Sequence, residues 1–368
     1  MLTGPIIGGA FANANAWRWA FYLNLVVGAV AGPIYLLLIP SIDPIPGTTF
    51  RARLAPTDKI GTVLMAGSLT SLLMAISFGG IVFEWSSART IALFVVAGVL
   101  FIMLLAQQIL TIGTSVEDRI FPIHFLRSPI MVILGLATAA VTTGSFTIIY
   151  FLPLFYQLVV EESALNSGVH LLPFVSFMVV VCVGNGMIVG KYGYYMPWFL
   201  LSGIFLTIGS ACLYTVDQFT PAPNVYGYSI IYGIGVGAGV QMSFGVAQMK
   251  VKPAEGGLAI GFCTFFQLAG PAVAISIANS VFLNEALNHL RALLPATNED
   301  EVLGALFGLN APILQGNHDV SRAQIVNVLA ETIKKVYAVP LSSGALVIIM
   351  SLFMKREKLF GMVSTPGA

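Results

Sequence analysis

The sequence contains few charged side chains. Only 9% of its 368 residues are Asp, Glu, Lys or Arg, whereas about a quarter is usual for a soluble domain. Hydrophobic residues account for 57%, and the mean hydropathy is +0.89. These values exclude a conventional soluble domain and predict an all-α protein that crosses a membrane many times.

Signals for metals, nucleotides and nucleic acids are also absent. The three cysteines lie far apart in apolar runs, which gives no support for a disulfide or a zinc site and favours packing roles. No GxxxxGK[ST] sequence occurs, so we expect no ATP as an energy source. A net charge of +1 offers no basic surface for nucleic acid. We therefore expect no cofactor, no metal and no catalytic residue.

What the sequence does contain is a series of apolar runs, each close to the roughly 20 residues that cross a bilayer as a helix. Ten membrane segments are predicted, of which the first is only partial: 3–16, 20–40, 60–83, 90–112, 129–153, 165–190, 197–215, 226–249, 257–283 and 336–354. Of the 17 Lys and Arg residues, eleven fall on one set of alternate loops and six on the other. Because loops rich in these residues stay in the cytosol, we expect a cytosolic C-terminus.

The chain opens with GPIIGG, a pattern of small residues suited to close helix packing. Gly4 and Gly8 are four residues apart and stack on one helical face, where a neighbouring backbone can approach, and Gly9 widens this groove. Pro5 either begins a helix or bends a longer one. We therefore predict that Gly4, Pro5, Gly8 and Gly9 form a packing motif.

Next comes WRWAFYLN, in which Trp17, Arg18, Trp19 and Asn24 indicate a turn at the membrane interface. Together, the two stretches resemble the antiporter signature in the fifth helix of the drug:proton antiporters of the major facilitator superfamily, and in particular of their fungal fourteen-helix subfamily. The resemblance continues through YFLPLFYQLV, SGVHLLPF and GKYGYYMPW, at 150–159, 167–174 and 190–198.

This resemblance implies a major facilitator-type helical bundle and a division of the chain. Residues 1–40 would be the last two helices of an N-terminal bundle, and 41–127 would hold cytoplasmic loops and two linking membrane helices. A six-helix C-terminal bundle would occupy 128–354, with an extracellular loop at 284–335, and 355–368 would be a cytoplasmic tail. On this alignment the family's first four helices have no counterpart, so an N-terminally truncated chain is expected.

Several polar and aromatic side chains inside the predicted spans are candidates for a substrate cavity. Gln241 and Gln248 are seven residues apart on one helical face, where an uncharged amide can contact a substrate or another helix. Phe265 and Phe266 can stack on a flat lipophilic molecule, with Gln267 beside them, although such side chains are often simply packed. Tyr150 completes this candidate set. The glycines predicted to pack helices are Gly233, Gly237, Gly257, Gly261 and Gly270.

No Asp or Glu lies at the centre of a predicted span, although a buried ionisable group is the expected proton carrier of a coupled transporter. His170, at the outer end of the sixth span, is the nearest candidate, while a structural role is the commoner one for such a histidine.

The resemblance implies proton-coupled efflux of lipophilic small molecules, such as fungal secondary metabolites, toxins or drugs, across a membrane, which for this family we expect to be the plasma membrane. Its expected partners are the substrate, protons and the lipid bilayer. A siderophore or basic amino acid transporter is an alternative within transport. A further alternative, outside transport, is a truncated membrane protein or degraded gene product that transports nothing. A membrane-bound enzyme has the least support, because the spans show no paired carboxylates, histidine box or activated nucleophile.

Overall fold

The computed structural model describes residues 4–40, 47, 49, 57–116, 118–294, 299–306 and 322–359. These residues form fourteen α-helices and two short 3₁₀ helices, Ile123–Arg127 and Pro253–Glu255. The α-helices are α1 (Gly4–Asn13), α2 (Trp19–Leu37), α3 (Lys59–Phe78), α4 (Ala88–Leu110), α5 (Pro129–Leu158), α6 (Ala164–Val169), α7 (Leu172–Tyr192), α8 (Met196–Tyr214), α9 (Ala222–Gly239), α10 (Met242–Lys250), α11 (Gly256–Leu293), α12 (Glu299–Leu306), α13 (Arg322–Val336) and α14 (Ala338–Leu352).

Nine stretches of the described chain are long and apolar enough to cross a membrane. Three of them join consecutive α-helices, namely α6 with α7, α9 with α10, and α13 with α14, and a fourth joins the 3₁₀ helix Pro253–Glu255 to α11. Helix α1 has only ten residues, as expected of the partial first segment. The protein is therefore an all-α, multi-pass membrane protein, which confirms the predicted fold class.

Helix α5 lies at the centre of the bundle. Two thirds of its most apolar window is buried, and it packs against α11, α14 and α9. Helix α8 contacts α9 and α14, while α7 packs on α9, so these helices surround a continuous core. By contrast, α2 has no buried residue, and the described helix that it contacts most is its neighbour in sequence, α1.

Of four glycines predicted to pack helices, two meet the backbone of a neighbouring helix and two do not. At Gly233, an added Cβ would lie 2.5 Å from the carbonyl oxygen of Phe174, and at Gly237 it would collide with the backbone of Met178, so α9 and α7 touch through their backbones. At Gly257 and Gly261 no atom lies within 4 Å of an added Cβ. Those two glycines therefore pack no neighbouring described helix closely, contrary to the prediction.

The fifth predicted packing glycine, Gly270, does approach another helix. Its added Cβ would lie 2.6 Å from the Cβ of Ala139 in α5. This close approach lets α11 lie directly against the central helix of the bundle.

The polar segment 284–335, predicted as a loop, is largely helical where the structure describes it. Helix α11 continues to Leu293, and α12 and α13 follow. Ala286, Leu287 and Leu290 are buried at helical spacing, as are Ile325 and Leu329 of α13. The loop prediction was wrong for these residues because their charged outer faces lower the mean hydropathy of amphipathic helices.

The eighth predicted span, 226–249, is also interrupted. Helix α9 ends at Gly239 and α10 begins at Met242. The side-chain amide of Asn185 donates a hydrogen bond of 2.6 Å to the carbonyl oxygen of Ala238. In an uninterrupted helix that carbonyl would accept from the amide of residue 242, so this hydrogen bond from α7 lies at the interruption.

Candidate functional site

Helix α1 packs against the short helix α6 through small residues on both sides. A Cβ added at Gly9 would lie 2.5 Å from the carbonyl oxygen of Ala164, and one added at Gly168 would lie 2.6 Å from the carbonyl oxygen of Pro5. Neither glycine can carry a side chain unless the helices separate. The contact between α1 and α6 is thus made reciprocally, backbone against backbone.

The face of α1 that makes this contact is not the predicted one. Its residues follow the predicted pair by one position in the sequence. Pro5 and Gly9 meet α6, whereas Gly4 and Gly8 have no atom within 4 Å of an added Cβ. Gly4 and Gly8 instead line a cavity beside the contact. Because both pairs are four residues apart, spacing alone does not identify the face that meets a neighbour.

This motif cavity has a volume of about 600 Å³ and is largely apolar. Among the described residues, no charged side chain lines it. Its walls come from α1, α5, α6 and α7: Gly4, Pro5, Gly8, Gly9, Ala12, Ile149, Pro153, Gln157, Ala164, Ser167, Gly168, Leu171, Val175 and Met178. The Gln157 amide donates to the Ser167 hydroxyl over 3.0 Å, which ties α5 to α6 at its edge.

Of the four residues predicted to form a turn at the membrane interface, two lie in a turn and two lie in a helix. Trp17 and Arg18 lie in the turn, with the guanidinium 4.5 Å from the centre of the Trp17 ring. Trp19 and Asn24 lie inside α2. Both tryptophans are more than half exposed in the isolated chain, as expected for side chains in a membrane interface.

Gln241 and Gln248 line a second groove, of about 330 Å³, between α7 and the broken span α9–α10. Both are exposed. Asn185 also lines this groove and is only 5% exposed, and its side-chain oxygen has no hydrogen-bond partner in the described part of the chain. The structure therefore brings three amides together in one groove that no charged side chain lines. Asn185 was missed because a lone amide in an apolar run has no distinctive spacing.

Phe265 and Phe266 belong to an aromatic cluster on α11. The ring centres of Phe265 and Phe121 are 5.2 Å apart, and those of Phe266 and Phe262 are 5.0 Å apart. Gln267 is half-buried next to this cluster. These side chains do not line the motif cavity, the groove of Gln241 and Gln248, or a further cavity beside Tyr195.

Tyr150 also lies outside those cavities. It is nearly half exposed on α5, and its ring packs edge-on against Phe151 at 4.9 Å. The structure thus separates the predicted cavity residues, placing Gln241 and Gln248 in a groove and the aromatic candidates elsewhere.

A polar cluster surrounds His170, directly after α6. The His170 Nε2 atom is 2.6 Å from a carboxylate oxygen of Glu162, and its Nδ1 atom is 2.7 Å from the Tyr226 hydroxyl. The imidazole stacks on the Tyr156 ring, with centres 3.8 Å apart and planes 7° from parallel. The sequence indicated His170 alone, because its partners come from three separate elements.

A second polar cluster, missed in the sequence, is centred on the buried carboxylate of Asp58, which is 4% exposed. One oxygen accepts from the Gly61 amide at 2.8 Å and the Gln107 side chain at 3.0 Å. The other accepts from the Gln108 side chain and from the Ile120 amide. Asp58 caps α3, a role that an Asp before an apolar run suggests, but its link to α4 and to the following segment is tertiary.

On the side predicted to be cytosolic, residues 354–359 cross the turn between α7 and α8. Glu357 accepts from Lys250 at 2.5 Å and from the Tyr195 hydroxyl at 3.2 Å. The Lys250 hydrogen bond holds the pKa of Glu357 below its usual value. Burial, together with the nearby Glu357, raises the pKa of Tyr195 to about 12.

Among the described residues, no group of three or more His, Cys, Asp or Glu side chains is arranged to hold a metal ion. All three cysteines are free, and Cys263 is buried.

Comparison with known proteins gives one family match. Residues 1–188 match the family described as fungal trichothecene efflux pump (TRI12). This range includes helices α1 to α6 and most of α7.

Similar curated proteins match almost the whole chain. The chain is 45% identical to the MFS-type transporter pgmG of Aspergillus terreus, over 97% of this chain and 64% of that protein. It is 38% identical to the efflux pump patC of Aspergillus clavatus, over 96% and 65%, and 36% identical to the efflux pump alnA of Emericella nidulans, over 97% and 65%. The chain thus spans slightly less than two thirds of the length of these relatives.

Proposed function

Because the chain belongs to the fungal trichothecene efflux pump family, whose members are transporters rather than enzymes, we propose that it acts in proton-coupled export of lipophilic small molecules by alternating access. The observation that carries this proposal is the reciprocal contact of α1 and α6 beside an apolar cavity of about 600 Å³. A contact without intervening side chains can seal a pathway in one conformation and separate in another.

The lining of the two cavities supports a neutral, lipophilic substrate. The motif cavity is mostly apolar, and the second groove adds the amides of Asn185, Gln241 and Gln248. Amides can orient hydroxyl or carbonyl groups of a substrate without requiring it to be charged. The names of the relatives, which include efflux pumps, favour export over uptake.

The same lining argues against the alternative substrates. A siderophore–iron complex or a basic amino acid usually carries charge, and burying that charge without a partner is costly. No charged side chain lines either cavity in the described part of the chain. We further propose that the C-terminus is cytosolic and that the plasma membrane is the site of export.

Transport by proteoliposomes tests this proposal. Vesicles containing the chain and an acidic lumen should accumulate Nile red, a neutral lipophilic dye, and should accumulate rhodamine 6G, a cationic dye, more weakly. A protonophore should abolish the accumulation. Flux no greater than in empty vesicles would contradict export by this chain and would favour the alternative of a membrane protein that transports nothing.

A further inference from the structure

We propose that His170 and Glu162 form a proton-binding site that controls how firmly α6 packs against α1. The use of this site in export rests on the proposed function, but proton binding and its effect on packing can be measured without any transport. The ligand is a single proton, shared within an imidazole–carboxylate pair.

The geometry defines where the proton goes. A carboxylate can only accept, so the imidazole donates its Nε2 hydrogen to Glu162, and Nδ1 accepts from the Tyr226 hydroxyl. An added proton binds Nδ1 and turns the ring into an imidazolium. The contact with Glu162 then becomes an ion pair, and the Tyr226 oxygen must act as acceptor instead of donor. No further bond is made or broken.

The surroundings isolate this pair from other charges. The His170 side chain is 12% exposed and that of Glu162 is 28% exposed. Helices α1 and α6 contain no ionisable side chain. The ionisable groups facing the imidazole are Glu162, Tyr226 of α9 and Tyr156 of α5. Neighbouring Glu161 is already paired with Arg322 of α13 on the exposed surface.

The site is joined to the α1 contact through a helix of only six residues. His170 is the C-cap of α6, and its backbone amide donates to the carbonyl oxygen of Asn166. Gly168, two residues earlier, packs against Pro5, and Ala164 packs against Gly9. Glu162 belongs to the segment that leads into α6. The His170–Glu162 contact thus links the residues on either side of α6. Its strength therefore affects how closely α6 packs against α1.

Asp58, which is buried, is not suited to this role. Each of its oxygens already accepts two N–H hydrogen bonds, so its lone-pair positions are filled. The imidazole of His170, by contrast, keeps a lone pair on Nδ1 that can bind a proton in place of the Tyr226 hydrogen bond.

A buried cysteine can report on the packing of α6. Ser167 is fully buried, lies on the face of α6 that lines the motif cavity, and is isosteric with cysteine. In full-length protein with the three native cysteines replaced, Ser167→Cys is labelled with a small maleimide in detergent. Each rate is divided by that of the denatured protein at the same pH, which removes the pH dependence of the thiolate.

The imidazolium–carboxylate contact formed at low pH is stronger than the neutral hydrogen bond, so it holds the two ends of α6 together more firmly. Labelling is therefore expected to be about fivefold slower at about pH 5.5 than at about pH 7.5. His170→Gln and Glu162→Gln should each remove this difference, and the second variant keeps the test valid if the first folds poorly. His124→Gln is the matched control, because His124 also pairs with a glutamate, at 3.3 Å from Glu255, but away from α6.

The proposal is overturned if labelling of the parent is independent of pH or slows as the pH rises. It is also overturned if both His170→Gln and Glu162→Gln keep the parent profile, or if His124→Gln loses it equally. Absence of dye transport with a normal labelling profile would count against export alone and would leave the proton site in place.

Discussion

Gly9 occupies a position where the absence of a side chain lets two helices meet. We expect Gly9→Val to destabilise the protein by about 1–3 kcal/mol, because the valine collides with the backbone of α6 and not with a movable side chain. The measurement is unfolding of the purified protein in SDS, monitored by circular dichroism.

Gly8→Val is the matched control for this change. It introduces the same β-branched residue into the same helix, but at a position with open space around it. Its stability should stay close to that of the parent. Equal losses for the two variants would mean that helix propensity, rather than contact with α6, determines the effect.

At Glu357 a single carboxylate makes the docking of residues 354–359 sensitive to acid. Its pKa is lowered chiefly by the Lys250 hydrogen bond, so the stabilisation is complete above the ordinary value of 4.5 and is lost as the pH falls through the lower folded-state value. The side chain is 35% exposed, which limits the contribution to less than about 1 kcal/mol.

A dye is attached to Lys355→Cys in protein without the native cysteines. Its fluorescence anisotropy should fall when the pH is lowered through the folded-state pKa of Glu357. Glu357→Gln should give low anisotropy already at neutral pH, whereas Glu255→Gln should retain the acid transition. Persistence of the full transition in Glu357→Gln would assign it to another group.

At the scale of elements, Asp58 connects α3, α4 and the segment that leads to α5. Asp58→Asn replaces one carboxylate oxygen by an NH2 group, which then faces two N–H donors, either those of Gly61 and Gln107 or those of Gln108 and Ile120. We expect a loss of about 2–4 kcal/mol, because buried polar groups are left unpaired. Asp118→Asn, at an exposed position beside Ser115, should cost less than about 0.5 kcal/mol. Thermal unfolding of both variants distinguishes a buried polar link from a general effect of charge.

Membrane helices could be predicted from the sequence because their length and hydropathy are local properties. The ends and interruptions could not. Helix α11 extends beyond the bilayer-length run because its buried positions continue at helical spacing under a polar outer face. At the break before α10, the carbonyl oxygen of Ala238 accepts from Asn185, which lies 53 positions away in the sequence.

The candidate site was predictable to a similar degree. GPIIGG predicted a helix that packs closely, but which of its two faces meets α6 depends on the position of Gly168 and Ala164. Likewise, His170 was apparent as an isolated titratable residue, whereas Glu162, Tyr156 and Tyr226 reach it only in the folded chain.

For the whole molecule, the distribution of Lys and Arg predicts that the connection between α12 and α13 is extracellular. Asp319→Thr creates a glycosylation sequon at Asn317, and Pro46→Asn creates one in a loop predicted to be cytosolic. In yeast, only the first variant should gain mass that is removed by endoglycosidase. Glycosylation of the second alone would reverse the proposed orientation.

The hairpin of α3 and α4 is fastened near both of its ends. Asp58 holds it to the segment before α5, and at the opposite end the Asn284 side chain of α11 donates to the carbonyl oxygen of Gly79. Two such anchors leave the hairpin little freedom to tilt relative to α11. Spectroscopic probes on the hairpin and on α11 should keep a constant separation while α1 moves, so the hairpin offers a stationary frame for measuring that movement.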